Sequence, residues 1–137
     1  MKRSAVAVAA GFVTIFVLAM GTDAALRALL PTRFGPNGRV DDVGLLLLTL
    51  LYVFAFAALG CWLTARLAPD RPMRHALLLG ALGLAFNVAG TIAAWDTAPA
   101  WYHLVALALV MPAAWVGGAV RERQLARGGT TGRLAAV

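Results

Sequence analysis

The sequence is poor in charged residues and in cysteine. Charged side chains make up 13% of the 137 residues, about half the share of roughly 25% found in soluble domains. The single cysteine, Cys61, excludes an intrachain disulfide, a cysteine-rich metal site and a CxxC redox pair. Apolar residues of the set AVILMFWYC account for 61% of the chain, more than a small soluble domain can bury. The composition therefore excludes a soluble domain, a disordered chain and a fibrous repeat, and it indicates a protein whose surroundings are lipid.

Charged residues are also missing from the central part of every long apolar run. Because ion-coupled carriers and pumps usually place an acidic or basic group there, this absence argues against an ion-coupled transporter. The chain lacks a Ser–His–Asp arrangement, paired carboxylates and a phosphate-binding loop, so we expect neither enzyme activity nor a cofactor. His75 and His103 fall near opposite faces of the membrane, roughly 25–30 Å apart by helix rise. We therefore expect no metal site within one chain.

Four apolar runs are each long enough to cross a bilayer as a helix, because a hydrocarbon core of about 30 Å needs about 20 residues. The second and third connections are short, which favours antiparallel neighbours. The sequence therefore predicts an all-α, four-helix transmembrane bundle over residues 1–120, with a basic, disordered cytoplasmic tail after it. The predicted spans cover residues 4–22, 43–65, 76–95 and 100–120, and the tail covers residues 121–137.

The boundaries of the first two spans carry further signals. The first apolar run is longer than the core of a secretory signal, about 7–15 residues, so we expect it to remain as a span. Residues 24–30 are predicted to extend this helix, which places Asp23 and Arg27 at i, i+4 as an ion pair. Asp41 and Asp42 precede the second span as candidate N-caps.

The basic residues predict the orientation of the chain. With four crossings, nine of the 12 Lys and Arg residues lie on the side of the two termini and three lie on the other side. Basic residues accumulate in cytoplasmic loops, so both termini are predicted to be cytoplasmic in the cell inner (plasma) membrane. Topology accounts for the net charge of +6, and no nucleic-acid partner is expected.

Spans two and three each carry a stripe of small or polar residues. Small residues let helices approach closely in lipid, and equal depth in an antiparallel pair predicts which members of the two stripes meet. The predicted contacts are Thr49 with Thr91, Tyr52 with Asn87, Phe56 with Gly83 and Gly60 with Gly80.

Asn87 is the strongest polar residue inside a span, and its amide needs hydrogen-bond partners in hydrocarbon. Tyr52, Thr14 and the carbonyl of Ala108, which Pro112 deprives of its usual donor, fall at a similar depth. These positions predict a hydrogen-bonded layer of Thr14, Tyr52, Asn87 and Ala108 near the midplane. Two interpretations stay open: contacts between helices worth about 0.6 kcal/mol per bond, or a polar step on a solute or ion path.

A second group of polar and aromatic residues is predicted at the outer mouth of the bundle. Such a cluster is typical either of a site for a small ligand or a partner, or of an ordinary membrane interface with a salt bridge. Its members are Asp23, Arg27, Asp96, Trp101, Tyr102 and His103.

The segment GCWLTARLAPDRPMRHA at residues 60–76, together with Gly21-Thr22-Asp23, resembles a group of small uncharacterised bacterial membrane proteins with four spans. In those proteins a similar segment joins the second and third spans, and the resemblance extends over residues 21–118. It implies the same architecture and no particular activity. Small multidrug carriers would need an acidic residue in the middle of the first span, and residues 11–17 contain none. The glycine- and asparagine-rich pattern and broken helix of fluoride channels are also missing.

These observations predict a small, non-enzymatic bacterial inner-membrane protein that serves as a structural or accessory component. Its expected partners are the lipid bilayer and other membrane helices, either in a homo-oligomer or in a larger complex. The alternative is a minimal channel or transporter for a small solute or ion, formed by a homo-oligomer. The two functions differ in whether the polar groups are buried and dry or line a hydrated path.

Overall fold

The computed structural model describes residues 2–35 and 38–134, with side chains for residues 3–35 and 38–127. This part of the chain is helical and contains no strand, which confirms the predicted all-α class. Two short 3-10 turns, Pro31–Arg33 and Trp95–Thr97, lie in the first and last connections. The four long helices are α1 (Lys2–Leu29), α2 (Val43–Leu67), α3 (Pro72–Ala93) and α4 (Ala100–Leu134).

All four helices are long and apolar enough to cross a membrane, in agreement with the number of spans predicted from the sequence. The predicted extension of the first helix is confirmed as far as Leu29. At the start of α2, the carboxylate of Asp42 accepts a hydrogen bond of 2.9 Å from the backbone N–H of Leu45, as an N-cap does. The length of the apolar run thus agrees with the extent of α1, and the cap at Asp42 marks the start of α2.

The fourth helix differs from its prediction. Residues 121–134, expected to belong to a disordered tail, continue α4 as helix, while residues 135–137 lie outside the described residues. Arg, Glu, Gln, Leu and Ala dominate residues 121–127, and all five are strong helix formers. The indole N–H of Trp62 also donates to the side-chain oxygen of Gln124 at 3.1 Å, which ties this extension to α2.

The helices pack in the order α1, α2, α4, α3 around the bundle, with α1 and α4 at opposite corners. The predicted α3–α4 neighbours are confirmed, and α2 also contacts α3. The most extensive interface is nevertheless between α2 and α4, which run parallel, and α1 packs chiefly against α2. Helices α2 and α3 therefore each contact all three other helices, and the contacts of α2 are the more extensive.

The glycines form close interfaces, but with different helices from those predicted. A Cβ on Gly60 would overlap Ile15 and the carbonyl of Gly11 in α1, and a Cβ on Gly80 would overlap Ala114 in α4. The predicted pairing of the stripes on α2 and α3 is therefore wrong at its glycines. Equal depth in the membrane does not determine which way a residue faces, and each small residue accommodates the nearest backbone or side chain.

The same correction applies to the other predicted pairs. A Cβ on Gly83 would lie 3.9 Å from Val110 of α4, with no other atom within 4 Å, so Phe56 does not pack on it. Asn87 is exposed rather than set against Tyr52. The α2–α3 contact does not follow the polar stripes.

The core lies toward the end of the bundle that holds the chain termini. Small side chains dominate it, since Cys61, Ala65, Ala76 and Ala114 are buried together with Leu79. Such residues allow the helix backbones to approach closely.

Thr64 is fully buried beside this core. Its hydroxyl donates to the carbonyl of Ala7 in α1 at 3.1 Å, so this buried polar group at the α1–α2 contact has a partner.

The opposite end is formed by residues 30–35 and 38–42 of the first connection and residues 94–99 of the last, and we call it the loop end. The N–H of Val40 donates to the carbonyl of Thr97 at 2.9 Å, and the guanidinium of Arg39 donates to the carbonyl of Asp96 at 2.9 Å. These two hydrogen bonds join the first connection to the last. They fix the rim around the cavity described next.

Candidate site at the loop end

The predicted midplane layer does not assemble. The hydroxyl of Thr14 donates to the carbonyl of Ala10 at 2.8 Å, and the side-chain amide of Asn87 donates to the carbonyl of Gly83 at 2.9 Å. Each of these hydrogen bonds lies within a single helix, the first in α1 and the second in α3, where a polar side chain can reach the carbonyl four residues back. The side-chain hydrogen bond of Asn87 is therefore made within α3 and not to another helix.

The remaining two members of that layer also lie apart. Ala108 is exposed on α4. Tyr52 donates its hydroxyl proton to the carboxylate of Asp23, close to the loop end. The prediction of one layer formed by Thr14, Tyr52, Asn87 and Ala108 is therefore wrong.

Asn87 does line a cavity of about 170 Å³ among α2, α3 and α4. Tyr102 and Cys61 are the other polar members of the lining, and the rest is apolar. An unbroken row of hydrogen-bonding groups, which a passing ion would need in place of its water shell, does not line this cavity.

The predicted outer cluster is brought together in part. Asp23, Arg27 and Tyr102 line one cavity of about 250 Å³ at the loop end. Tyr52, which the sequence analysis placed in the other group, lines the same cavity. We call Asp23, Arg27, Tyr52 and Tyr102 the loop-end site.

The other three members of the predicted cluster do not line this cavity. Asp96 is exposed in the last connection, and Trp101 is exposed with its ring edge-on to Tyr102, at a centroid distance of 6.2 Å. His103 is buried, with its Nε2 atom 3.1 Å from the carbonyl oxygen of Trp95 and its ring stacked on that indole. Trp101 and His103 thus contact other residues near the start of α4, and Asp96 lies in the connection that precedes it.

The hydrogen bond between Tyr52 and Asp23 links α2 to α1 and was missed by the sequence analysis. Part of the signal was available in the antiparallel register. The alignment that sets Gly11 beside Gly60 and Ala7 beside Thr64 places Asp23 about one helical turn beyond Tyr52, a distance that the long tyrosine side chain spans. The sequence analysis instead predicted that Tyr52 lies near the midplane with Thr14, Asn87 and Ala108.

Arg27 does not pair with Asp23, although the two are four residues apart on one helix. Within residues 3–35 and 38–127, no carboxylate forms an ion pair with its guanidinium. The group instead lies over the ring of Phe34, 5.0 Å from its centroid, and beside Gly38. Gly38 has φ +76°, a left-handed conformation that favours glycine, and a Cβ there would lie 3.1 Å from a guanidinium nitrogen. The predicted Asp23–Arg27 ion pair is therefore wrong.

The charged groups on the outside of the first connection do pair. The guanidinium of Arg39 donates to both carboxylate oxygens of Asp41, which lowers the pKa of Asp41 and raises that of Arg39. The N–H of Leu45, followed by the guanidinium of Arg33, lowers the pKa of Asp42. Both carboxylates are thus held in their charged form at the rim of the site.

The loop-end site combines a carboxylate, a guanidinium and two phenol hydroxyls around a small space. These groups can bind a polar ligand by charge and hydrogen bonds. Among the residues that the structure describes, no three His, Cys, Asp or Glu side chains are grouped to hold a metal ion.

The sequence matches no family model, and the comparisons with curated proteins and with solved structures find no match either. What the loop-end site can bind therefore has to follow from the arrangement of its own residues.

Proposed function

We propose that this chain is a multi-pass integral protein of a bacterial inner membrane that acts without catalysis, as a structural or accessory component. The observation that supports this function most directly is the amount of large apolar surface on the outside of all four helices. Phe16, Leu51, Ile92 and Leu104 are 57%, 67%, 74% and 61% exposed. Surfaces of this kind require lipid or the helices of a partner.

The expected partners are a second copy of the chain or a larger membrane complex. Helices associate in lipid through close packing rather than through a hydrophobic driving force. The groove between α1 and α3, lined by Ala5, Ala9, Phe12 and Phe86 among others, offers a shallow apolar face of this type. The proposed orientation, with both termini in the cytoplasm, follows from the basic residues on the terminal side of the bundle.

Photo-crosslinking in intact membranes tests this function. A photoreactive residue placed at Phe86, which is 58% exposed, should yield adducts with another polypeptide. The matched control is Leu79, which is 1% exposed and faces the core, and which should crosslink only within the chain. Adducts with lipid alone at Phe86, and also at Phe16 and Ile92, would contradict the function as a component of an assembly.

The second candidate function is a minimal channel or transporter formed by a homo-oligomer. One observation favours it: Tyr102 lines both the loop-end cavity and the apolar cavity inside the bundle, so that the two spaces share one lining residue. Flux of a panel of small solutes into liposomes distinguishes the two candidates. An accessory component gives the same flux as empty liposomes. A conductor gives a flux above that background. Tyr102→Ala should increase this flux, whereas Trp101→Ala, which changes an exposed neighbour, should leave it unchanged.

A further inference from the structure

The loop-end site holds opposite charges that are left free to bind something else. Asp23 and Arg27 lie one turn apart on α1 and line the same cavity, but they do not pair with each other. Opposite charges at this spacing ordinarily attract. Here Tyr52 holds the carboxylate toward α2, while Phe34 and Gly38 hold the guanidinium toward the first connection.

The same cavity has unused hydrogen-bonding groups. The carboxylate of Asp23 receives one hydrogen bond, from Tyr52, and can accept more. The guanidinium of Arg27 and the hydroxyl of Tyr102 have no hydrogen-bond partner among the residues whose side chains are described. A negative and a positive group therefore face one space, and each has capacity for a ligand.

We propose that the loop-end site binds a small zwitterion, with the ligand's ammonium group at Asp23 and its anionic group at Arg27. Tyr52, which bonds to Asp23, and Tyr102 line the same cavity, and aromatic rings attract cations. Arg27 suits the anionic end, because a guanidinium binds carboxylate or phosphate through paired N–H groups.

The volume of the cavity sets the size of the ligand. At about 250 Å³, it falls below the range of roughly 300–1,000 Å³ typical of sites for drug-sized molecules. It therefore suits a free amino acid or phosphoethanolamine, or the zwitterionic headgroup of phosphatidylethanolamine whose acyl chains stay in the bilayer. These ligands share one chemistry, an ammonium group and an anion joined by a short linker. This inference is independent of whether the protein is an accessory component or a conductor.

Binding of soluble probes to the full chain in detergent tests the proposal. The probes are O-phosphoethanolamine and glycine, with inorganic phosphate and ethanolamine as controls that each carry one of the two charges. At least one zwitterion should bind at least about tenfold more tightly than either single-charge control, since each loses one charged contact. Equal affinity for phosphate and the zwitterions would overturn the proposal in favour of a simple anion site.

Two variants and a control locate the binding. Asp23→Asn and Arg27→Gln should each weaken the zwitterion by about tenfold, and Asp23→Asn keeps an acceptor for the hydroxyl of Tyr52. Arg74→Gln removes the same charge from an exposed position at the other end of the bundle and should leave the affinity unchanged. Melting temperatures of the variants without ligand check that each is folded. Folded Asp23 and Arg27 variants that bind as the wild type does would overturn the assignment.

Nanodiscs distinguish the source of the ligand. A rise in melting temperature when phosphatidylethanolamine replaces phosphatidylcholine, lost in Arg27→Gln and kept in Arg74→Gln, supports the lipid headgroup. Stabilisation by glycine or O-phosphoethanolamine in phosphatidylcholine nanodiscs, without any effect of phosphatidylethanolamine, supports a free solute. An absence of stabilisation in all of these arms would overturn the proposal.

Discussion

At the scale of single residues, the closest contacts of the bundle are made where side chains are absent. The backbones of α1 and α2 approach so closely at Gly11 and Gly60 that neither position has space for a Cβ. Gly117 of α4 stands in the same relation to the backbone of α2 at Ala58 and Trp62. Elsewhere on the helices, glycines such as Gly21 and Gly90 have no atom within 4 Å of the Cβ position.

This contrast predicts that Gly60→Ala destabilises the bundle, because the new methyl group would collide with Ile15 and the carbonyl of Gly11. The expected loss is about 1–3 kcal/mol, as for other overpacked cores. Gly90→Ala is the matched control and should cause no loss, since open space surrounds it and alanine favours the helix. Thermal unfolding in detergent measures both, and equal losses would contradict the close approach of α1 and α2.

The buried hydroxyl of Thr64 gives a second prediction at this scale. Thr64→Val removes the hydrogen bond to Ala7 while keeping the shape of the side chain, and should lower the unfolding free energy by about 0.6–1.7 kcal/mol. In Thr14→Val the lost bond lies within α1, so the loss should be smaller. Chemical unfolding measures the unfolding free energy of both variants. A larger decrease for Thr14→Val than for Thr64→Val would contradict a stabilising role of the hydrogen bond between α1 and α2.

Asn87 gives the opposite prediction. Its side chain is exposed and bonds to its own helix, so Asn87→Leu should leave the unfolding free energy within about 0.5 kcal/mol of wild type. The same unfolding measurement checks this value. A loss well beyond that range would indicate a partner for Asn87 from a second helix or a second copy.

At the scale of elements, the first connection depends on its charged groups. Asp42 caps α2 and pairs with Arg33, so its pKa in the folded chain lies below the ordinary value of 3.8. A lowered carboxylate pKa stabilises the fold above the unfolded pKa, and this stabilisation is lost as the pH falls through the folded pKa.

The melting temperature of the wild type should therefore fall as the pH is lowered below about 5 and through the folded pKa of Asp42. Asp42→Asn should be less stable near neutral pH and should show a smaller fall in that window, because the ionised cap is already absent. Asp70→Asn, at the other end of the bundle, changes a carboxylate that has no hydrogen bond or ion pair among the described side chains, and should follow the wild-type profile. Identical profiles for all three proteins would contradict the role of Asp42.

At the scale of the whole molecule, the proposed orientation is tested by labelling of introduced cysteines. In a Cys61→Ala background, a cysteine at Ala100 should react with an impermeant reagent added outside the cell, and one at Asp70 should react only after permeabilisation. Both positions are exposed, whereas the neighbouring Ala98 is 7% exposed and would label poorly in either orientation. The reverse pattern would invert the proposed topology.

The sequence was sufficient to predict the number, type and approximate limits of the helices, because a bilayer imposes a minimum apolar length on each span. It was not sufficient to predict which faces meet. Depth along the membrane normal can be counted from residue numbers, and that count predicted a similar depth for Gly60 and Gly80. The rotation of each helix about its axis depends on packing, and it turned Gly60 toward α1 and Gly80 toward α4.

The candidate site was predicted in part for the same reason. Asp23, Arg27 and Tyr102 were predicted at the same end of the bundle and do share a cavity, whereas His103 was predicted there but packs against Trp95. Tyr52 was assigned to the wrong layer, because its hydroxyl is directed at Asp23 of α1, and the direction of a side chain cannot be counted from residue numbers.

The order of the helices around the bundle has a consequence for biogenesis. The pairs α1–α2 and α3–α4 are consecutive hairpins, yet the parallel contact between α2 and α4 is the most extensive in the bundle. Helix α4 is synthesised last, so the α1–α2 hairpin is made before the helix with which α2 forms its largest contact. Until α4 is inserted, this hairpin is only partly packed. The connection between the hairpins is exposed, and Arg71 within it has a strained φ of 43°. If the chain is divided between Asp70 and Arg71, the α1–α2 and α3–α4 fragments should associate into the bundle when they are produced together.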